Sequence, residues 1–318
     1  MSDSTMTNST GGKPETVLIT GGTDGLGRAA AILFASEGYR VFAAGRNAEK
    51  RAALEQFAEE KSLTLETLDL DVTSDESASR AVAEVERRAG PVDVLVNNAG
   101  IAIAAVMEEV SVDDLRKQFE TNVFGGVRMT QRVLPAMRER RSGRIINMSS
   151  VAGRVSNPLF GPYSGSKHAL EAISDAQRME VAPFGIRVVL IEPGFIATNI
   201  NRAAAELSSR YMKNAATSPY ARAYLSVLKM VQKRVASSKT TPEDCARVIL
   251  RAVRAPNPRA RYAVTREAQI TIALRWLLSD RRMDKMTMRA LGLDRDADEA
   301  GSAQSVQAEI EQLVRARR

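Results

Sequence analysis

The chain has 318 residues, 44% hydrophobic and 26% charged, which is enough apolar material for one large core and excludes wholesale disorder, collagen or coiled coil. A single cysteine, Cys245, excludes an internal disulfide or a cysteine cluster. A single histidine, His168, excludes zinc sites built on several histidines, so no metal is expected. The net charge of +7 is unevenly placed: residues 1–200 carry 22 basic and 26 acidic groups, and residues 201–318 carry 23 and 12. A basic surplus raises nucleic acid or an anionic membrane as partners. Here it belongs to the C-terminal third and comes with no binding motif, so no nucleic-acid partner is expected.

Residues 1–14 are polar and read as a disordered leader without the apolar centre of a secretion signal. No run of 18 apolar residues follows, which predicts a cytoplasmic protein with no membrane span. An apolar run at 17–20 precedes a glycine-rich turn and a helix-like segment at 26–36. Then come a strand at 40–44, a helix at 48–61, a strand at 63–70, a helix at 75–89 and, after Gly90-Pro91, a strand at 92–96. Helical periodicity runs from 112 to 141, with Leu115, Phe119, Val123 and Phe124 on the pattern. Strands at 144–148 and 187–191 flank a helix that starts near Tyr163. This alternation predicts an α/β fold, a doubly wound parallel sheet of Rossmann type with helices on both faces. Past residue 200 the segment 202–238 is helical and basic, and Thr241-Pro242 starts another helix. A last strand at 261–264 precedes helical stretches at 268–278 and 281–291 and a charged final helix.

The turn TGGTDGLG holds Gly21, Thr23, Asp24, Gly25, Leu26 and Gly27, with glycines spaced GxxxGxG rather than GxGxxG. Glycines let the backbone approach a pyrophosphate, and the following helix offers free N–H groups and the positive end of its dipole. The second strand ends Ala44-Gly45-Arg46, with no acid to hold a ribose 2′-hydroxyl. Arg46 suits a 2′-phosphate instead, so NADP(H) is the expected cofactor, with NAD(H) second.

Tyr163 and Lys167, in YSGSK, lie four apart and so share a helix face. An ammonium one turn away lowers the pKa of a phenol from its ordinary value of about 10. Ser150, thirteen residues upstream, ends the 144–148 strand, where open sheets place their ligands. Asn122 is a poor helix former inside a long helix, and its amide suits a water or a carbonyl group.

The motifs TGGTDGLG, NNAG (97–100), Asn122, Ser150 and YSGSK, in this order and spacing, resemble the short-chain dehydrogenase/reductase family. The resemblance is strong over residues 15–200 and weaker through 264. IEPGFIAT (191–198) adds the family's PG…T segment, placing Pro193, Gly194, Ile196 and Thr198 at the nicotinamide amide. By the same resemblance Asp71 and Val72 lie beside the adenine, and Asn98, Ala99 and Gly100 line the cofactor. It implies Tyr163 as general acid in reduction and base in oxidation. Lys167 lowers the phenol's pKa and holds the nicotinamide ribose, Ser150 polarises the carbonyl, and Asn122 anchors a water of the proton relay. Ser149 competes with Ser150, but the spacing to Tyr163 favours the latter. His168 points about 100° away from Lys167 around the helix and reads as structural.

The implied activity is an NADP(H)-preferring oxidoreductase interconverting a secondary alcohol and a ketone, or an alcohol and an aldehyde. A homodimer or homotetramer through 112–141 and 163–183 is implied with it. The domains follow as a catalytic unit over 15–264, with 198–240 covering the substrate, and a helical extension over 265–318. Relatives with long extensions include reductases of steroids, retinoids and other lipophilic alcohols, so a lipophilic substrate is expected. Trp276, Leu277, Met283, Met286 and Leu293 are candidates for an apolar lid or a dimer face. The alternation of basic and apolar residues there also suits a peripheral membrane contact. Two alternatives stand: a catalytically silent NADP-binding sensor, and a ketoacyl carrier-protein reductase. The intact set Asn122, Ser150, Tyr163 and Lys167 argues against the first, and the long extension against the second.

Overall fold

The strand β1 (Thr16–Thr20) is buried along its whole length, as a strand covered on both faces must be. The computed structural model describes residues 14–196, 199–294, 306–310 and 312. The expected leader, apart from Pro14, and most of the final charged segment lie outside them. Around β1 run β2 (Arg40–Gly45), β3 (Leu65–Asp69), β4 (Val94–Asn97), β5 (Gly143–Met148), β6 (Ile186–Glu192) and β7 (Arg261–Ala263). All pair in parallel, in the order β3-β2-β1-β4-β5-β6-β7. This is the Rossmann-type sheet the alternating pattern predicts.

The two-residue period of the strands builds two cores. Val17, Ile19 and Val41 face α1 (Gly25–Ser36), α2 (Ala48–Glu60) and α10 (Pro242–Arg254), packing with Phe34, Leu54 and Ile249. Leu18, Phe42 and Leu95 face α3 (Asp75–Ala89) and α5 (Gly125–Glu139), packing with Val82, Val85 and Met129. The capping box of Thr241 with Asp244 starts α10 where the sequence places it.

Two long predicted helices are interrupted, each where a side chain bonds the loop after β4. The 112–141 stretch is α4 (Val112–Phe119) and α5 separated by a π turn over Glu120–Phe124. The side chain of Asn122 leaves that turn to bond the backbone of Ile101, a partner outside the helix that stabilises the extra residue in the turn. The 202–238 stretch is three helices, α7 (Asn199–Leu207), α8 (Ser209–Asn214) and α9 (Ala221–Ser237). The first break falls at Ser208, whose buried hydroxyl accepts the Ala104 N–H at 2.9 Å.

The catalytic helix of the sequence reading is α6 (Gly161–Val181). Beyond β7 come α11 (Arg266–Leu277) and α12 (Asp280–Ala290). A third apolar cluster joins Ile103, Val110 and Leu159 to Tyr211, Tyr224 and Leu291. Tyr224 is fully buried in it, and its hydroxyl donates to Glu109 at 2.5 Å. The helices α8 and α9 thus share a core with the loop after β4, whereas α10 belongs to the first core. Of the five apolar residues expected in a lid or dimer face, Met283 is buried and Leu293 packs on the third cluster. Trp276 and Leu277 are 76% and 78% exposed, with the Trp276 ring 5.7 Å from the Arg154 guanidinium. Among the described residues no helix is long and apolar enough to cross a membrane.

Candidate active site

β1 and β4 are neighbours in the sheet although the chain leaves them toward opposite faces, which opens a crevice at their C-terminal ends. The turn after β1 is held from β4. Thr20 Oγ1 accepts the N–H groups of Asn98 and Ala99, both at 3.0 Å. Asn98 Nδ2 donates in return to the carbonyls of Thr20 and Gly21, each at 3.0 Å. A Cβ at Gly27 would lie 2.2 Å from the Gly21 oxygen and 2.4 Å from Asn98 Nδ2, so only glycine lets α1 start this close to the turn. Gly21 also needs its positive φ of 61°. Asp24 caps α1 through the Gly25 N–H and bonds Lys50. Thr23, Asp24 and Gly25 line an open cleft of about 960 Å³ that runs along α1 past Arg28 and Lys50. A turn stripped of side chains at a helix N-terminus fits a dinucleotide's pyrophosphate.

At the tip of β2 the Arg46 side chain is 68% exposed and its Nη1 lies 3.6 Å from Asp71 Oδ2. Burial pushes the Asp71 carboxyl up, but Thr73 and Arg46 outweigh it and hold the group below its ordinary value. Val72 is a core residue whose carbonyl accepts from Arg128 at 2.6 Å.

The other end of the crevice is a cavity of about 260 Å³. Ser149, Ser150, Tyr163, Lys167, Pro193 and Gly194 line it. Leu26, Asn98, Gly100 and Ile196 also line it. Ser150 Oγ accepts the Ala152 N–H at 3.1 Å, donates to the Pro193 carbonyl at 3.4 Å and acts on the Tyr163 phenol beside it, whereas Ser149 Oγ has no partner among the described residues. Lys167 Nζ donates to the Met148 carbonyl at 2.6 Å and stands 5.7 Å from the Tyr163 ring centre. Burial pushes the Lys167 ammonium down to about 8 against the pull of Glu171. Burial also raises the Tyr163 phenol, opposed by its bond to Ser150. The depression expected from the neighbouring ammonium is therefore not the balance here, because Lys167 is committed to Met148 and burial outweighs the rest.

Asn122 is buried and does not line this cavity. Its Oδ1 accepts the Ile101 N–H at 2.8 Å, and its Nδ2 donates to the Ile101 carbonyl at 2.9 Å and to Ser166 Oγ at 3.1 Å. Gln118 grips the same loop, donating to the Ile101 carbonyl and accepting the Ile103 N–H. The carbonyl that Asn122 holds is thus the chain's own. His168 is exposed, with Nδ1 2.9 Å from the Ser164 carbonyl one turn back. Thr198 lies outside the described residues.

The family described as short chain dehydrogenase matches residues 15–208. The chain is 35% identical over 280 residues to the NADPH-dependent 3-dehydrocapnine reductase of Ornithobacterium rhinotracheale, covering 86% of this chain and 96% of that one. It is 33% identical over 263 residues to the 3-ketodihydrosphingosine reductase of Bacteroides thetaiotaomicron, covering 82% and 91%. A solved structure of an actinorhodin polyketide ketoreductase variant with NADPH matches with a TM-score of 0.68 at 30% identity, over 79% of this chain and 95% of that one. The chain belongs to the short-chain dehydrogenase family. It is an NAD(P)-dependent oxidoreductase with a Rossmann-type nucleotide-binding fold.

Behind the cavity this short-chain dehydrogenase carries an ion cluster that the sequence reading missed. Glu171, one turn after Lys167, and Glu192, just before Pro193, are 6% and 2% exposed. Arg261 Nε lies 2.9 Å from Glu171 Oε2 and 3.6 Å from Glu192 Oε1, and Arg154 Nη1 lies 3.5 Å from Glu192 Oε1. The available signal was an acid closing the buried apolar strand β6, which only a partner can accommodate. Burial first, then the Glu171 charge, push Glu192 up to about 7 against Arg154 and Arg261. A protonated Glu192 supplies the donor that Glu171 Oε1 otherwise lacks.

The pH consequence follows from that retained proton. An unfolded glutamate releases its proton near 4.5 and folded Glu192 near 7, so unfolding sheds a proton in this window and stability falls as pH rises through it. Glu192→Gln keeps a donor toward Glu171 and does not titrate. Denaturant melts should show the variant gaining about 1–3 kcal/mol on the parent between pH 5 and pH 8. A difference that does not change with pH would contradict the retained proton.

Proposed function

We propose that this short-chain dehydrogenase is an NADP(H)-preferring enzyme interconverting a lipophilic secondary alcohol and its ketone, or an alcohol and its aldehyde. The observation that carries the reading is one cavity lined by Ser150, Tyr163 and Lys167 together with a largely apolar wall that includes Val155, Leu159, Phe160, Val227 and Val231. The relative named as NADPH-dependent and the one named for a keto substrate support it. Residues 15–264 form the catalytic domain in this reading, with 198–240 over the substrate and 265–318 as an extension. Exposed Val112, Phe124 and Met179 on α4, the π turn and α6 support assembly as a homo-oligomer through these helices.

The cofactor's pyrophosphate would be held at Gly21, Thr23, Asp24, Gly25, Leu26 and Gly27. Arg46, Asp71 and Val72 would form the adenosine end, and Asn98, Ala99, Gly100, Pro193, Gly194 and Ile196 the approach to the nicotinamide, with Thr198 assigned from the sequence. When bound, the cofactor supplies or takes the hydride. Ser150 hydrogen-bonds the substrate oxygen, and Tyr163 transfers the proton to or from it. A phenol raised by burial is fully protonated at neutral pH, which suits the acid role in reduction. Lys167, bonded to the Met148 carbonyl, would also hold a ribose hydroxyl of the cofactor. Asn122 holds the loop that carries Gly100 and supports the proton path from behind it.

Tyr163→Phe should lower turnover about 10²–10⁴-fold, the usual weight of a general acid, while NADPH still binds in a fluorescence titration. Retained turnover would overturn the assignment. Arg46→Ala should weaken NADPH by about tenfold or more, the loss of a charge-assisted hydrogen bond, and NADH far less. Equal losses for the two cofactors would remove Arg46 from phosphate recognition.

A further inference from the structure

We infer that Arg234 selects substrates carrying an anionic group beyond their hydrocarbon segment, so that the substrate class is an anionic amphiphile with a carbonyl or hydroxyl group. The inference rests on the reading above and adds what that reading leaves open, namely which lipophilic compounds the cavity takes.

The argument begins with helix spacing. Val227, Val231 and Arg234 fall at i, i+4 and i+7 of α9 and therefore on one face. All three line the cavity. The stripe changes from apolar to cationic as it rises, with Arg234 about 10 Å along the axis from Val227. Val227 is 3% exposed and Arg234 is exposed, so the cation stands at the rim while the apolar part of the stripe lies inside.

The charge inventory of the cavity has one sign. Lys167 and Arg234 are the charged side chains that line it among the described residues, and no carboxylate does. Lys167 is buried and bonded to the Met148 carbonyl. Arg234 has no carboxylate partner among the described residues, like Lys213, Lys233 and Lys239, none of which lines the cavity, and unlike three other cations of the same segment. Lys229 Nζ lies 2.7 Å from Glu309, Arg210 2.5 Å from Asp114, and Arg202 3.4 Å from Glu206.

A basic residue in the last turn of a helix also offsets the helix dipole. In α9 Arg234 is the basic residue of that turn, with Lys233 just before it and off the cavity, but a positive charge offsets the dipole at any azimuth of the turn. The dipole therefore does not explain a guanidinium on the apolar stripe. A planar fork of donors at the mouth of an apolar cleft matches the two oxygens of a carboxylate, sulfonate or phosphate. Its tether then lies along Val231 and Val227 toward Tyr163 and Ser150.

The test uses the full chain with NADPH and two ketones of equal chain length, 9-oxodecanoate and 2-decanone. The parent should favour the oxo acid in kcat/KM by about tenfold. Arg234→Gln should remove that preference, and Arg234→Glu should invert it. A preference that is absent in the parent, or unchanged in both variants, overturns the inference. Binding to the enzyme–NADPH complex gives a second readout independent of turnover. Decanoate should bind about tenfold tighter than 1-decanol to the parent and no tighter to Arg234→Gln. Equal binding by the parent overturns the role of Arg234 even if both ketones are reduced. If neither ketone is reduced but decanoate binding still depends on Arg234, the carbonyl-reductase reading fails and the anion site stands. Decanesulfonate and decyl phosphate, compared with decanoate in the same titration, identify which anion the fork fits best.

Discussion

The site depends on a clamp between two strands that are neighbours in the sheet and far apart in the chain. Asn98, just past β4, donates from its side chain to both carbonyls of the turn after β1, while Thr20 returns the contact through its hydroxyl. The turn has few bonds of its own, and the absence of a side chain at Gly27 lets α1 begin directly against it. Loosening the clamp would separate the helix N-terminus from the crevice in which Ser150 and Tyr163 stand. The same loop continues to Ile101, where Asn122 and Gln118 take hold of it. One segment, 98–103, thus registers the glycine turn after β1, the π turn between α4 and α5 and part of the third core.

Burial governs the charges around this scaffold. It raises the Tyr163 phenol, lowers the Lys167 ammonium and raises Glu192 through a common desolvation cost, with local partners only modulating the result. The tyrosine consequently keeps its proton at neutral pH, and the lysine titrates well below an ordinary ammonium. Glu171 links the two regions: it pulls on Lys167 from one side and shares the arginines of Glu192 on the other. The β6 end that leads into Pro193-Gly194 is anchored by this cluster rather than by apolar packing alone.

Most of the sheet was legible because buried parallel strands write themselves as short apolar runs, and each of the seven lies within two or three residues of its predicted place. The glycine turn, Ser150 and the Tyr163–Lys167 pair were legible as well, since their spacing is local. What escaped depends on partners distant in the chain. The π turn preserves helical periodicity, and its cause, Ile101, lies 21 residues from Asn122. The break at Ser208 answers to Ala104, 104 residues away. The Glu171–Glu192 cluster needs α6, β6 and β7 side by side before its members can meet. The basic surplus of the last third changed meaning in the same way. Part of it is held in ion pairs, and one cation, Arg234, stands on the stripe that lines the cavity.

The central claim is that this cavity carries hydride transfer to a carbonyl carbon, with the proton supplied by the protein. The most direct measurement is reduction of 2-decanone with NADPH deuterated at C4, each epimer in turn, in ordinary water. The account predicts that one epimer places deuterium on the carbinol carbon, with the hydroxyl proton coming from solvent through the protein. Product formed without deuterium at that carbon from either epimer would contradict it.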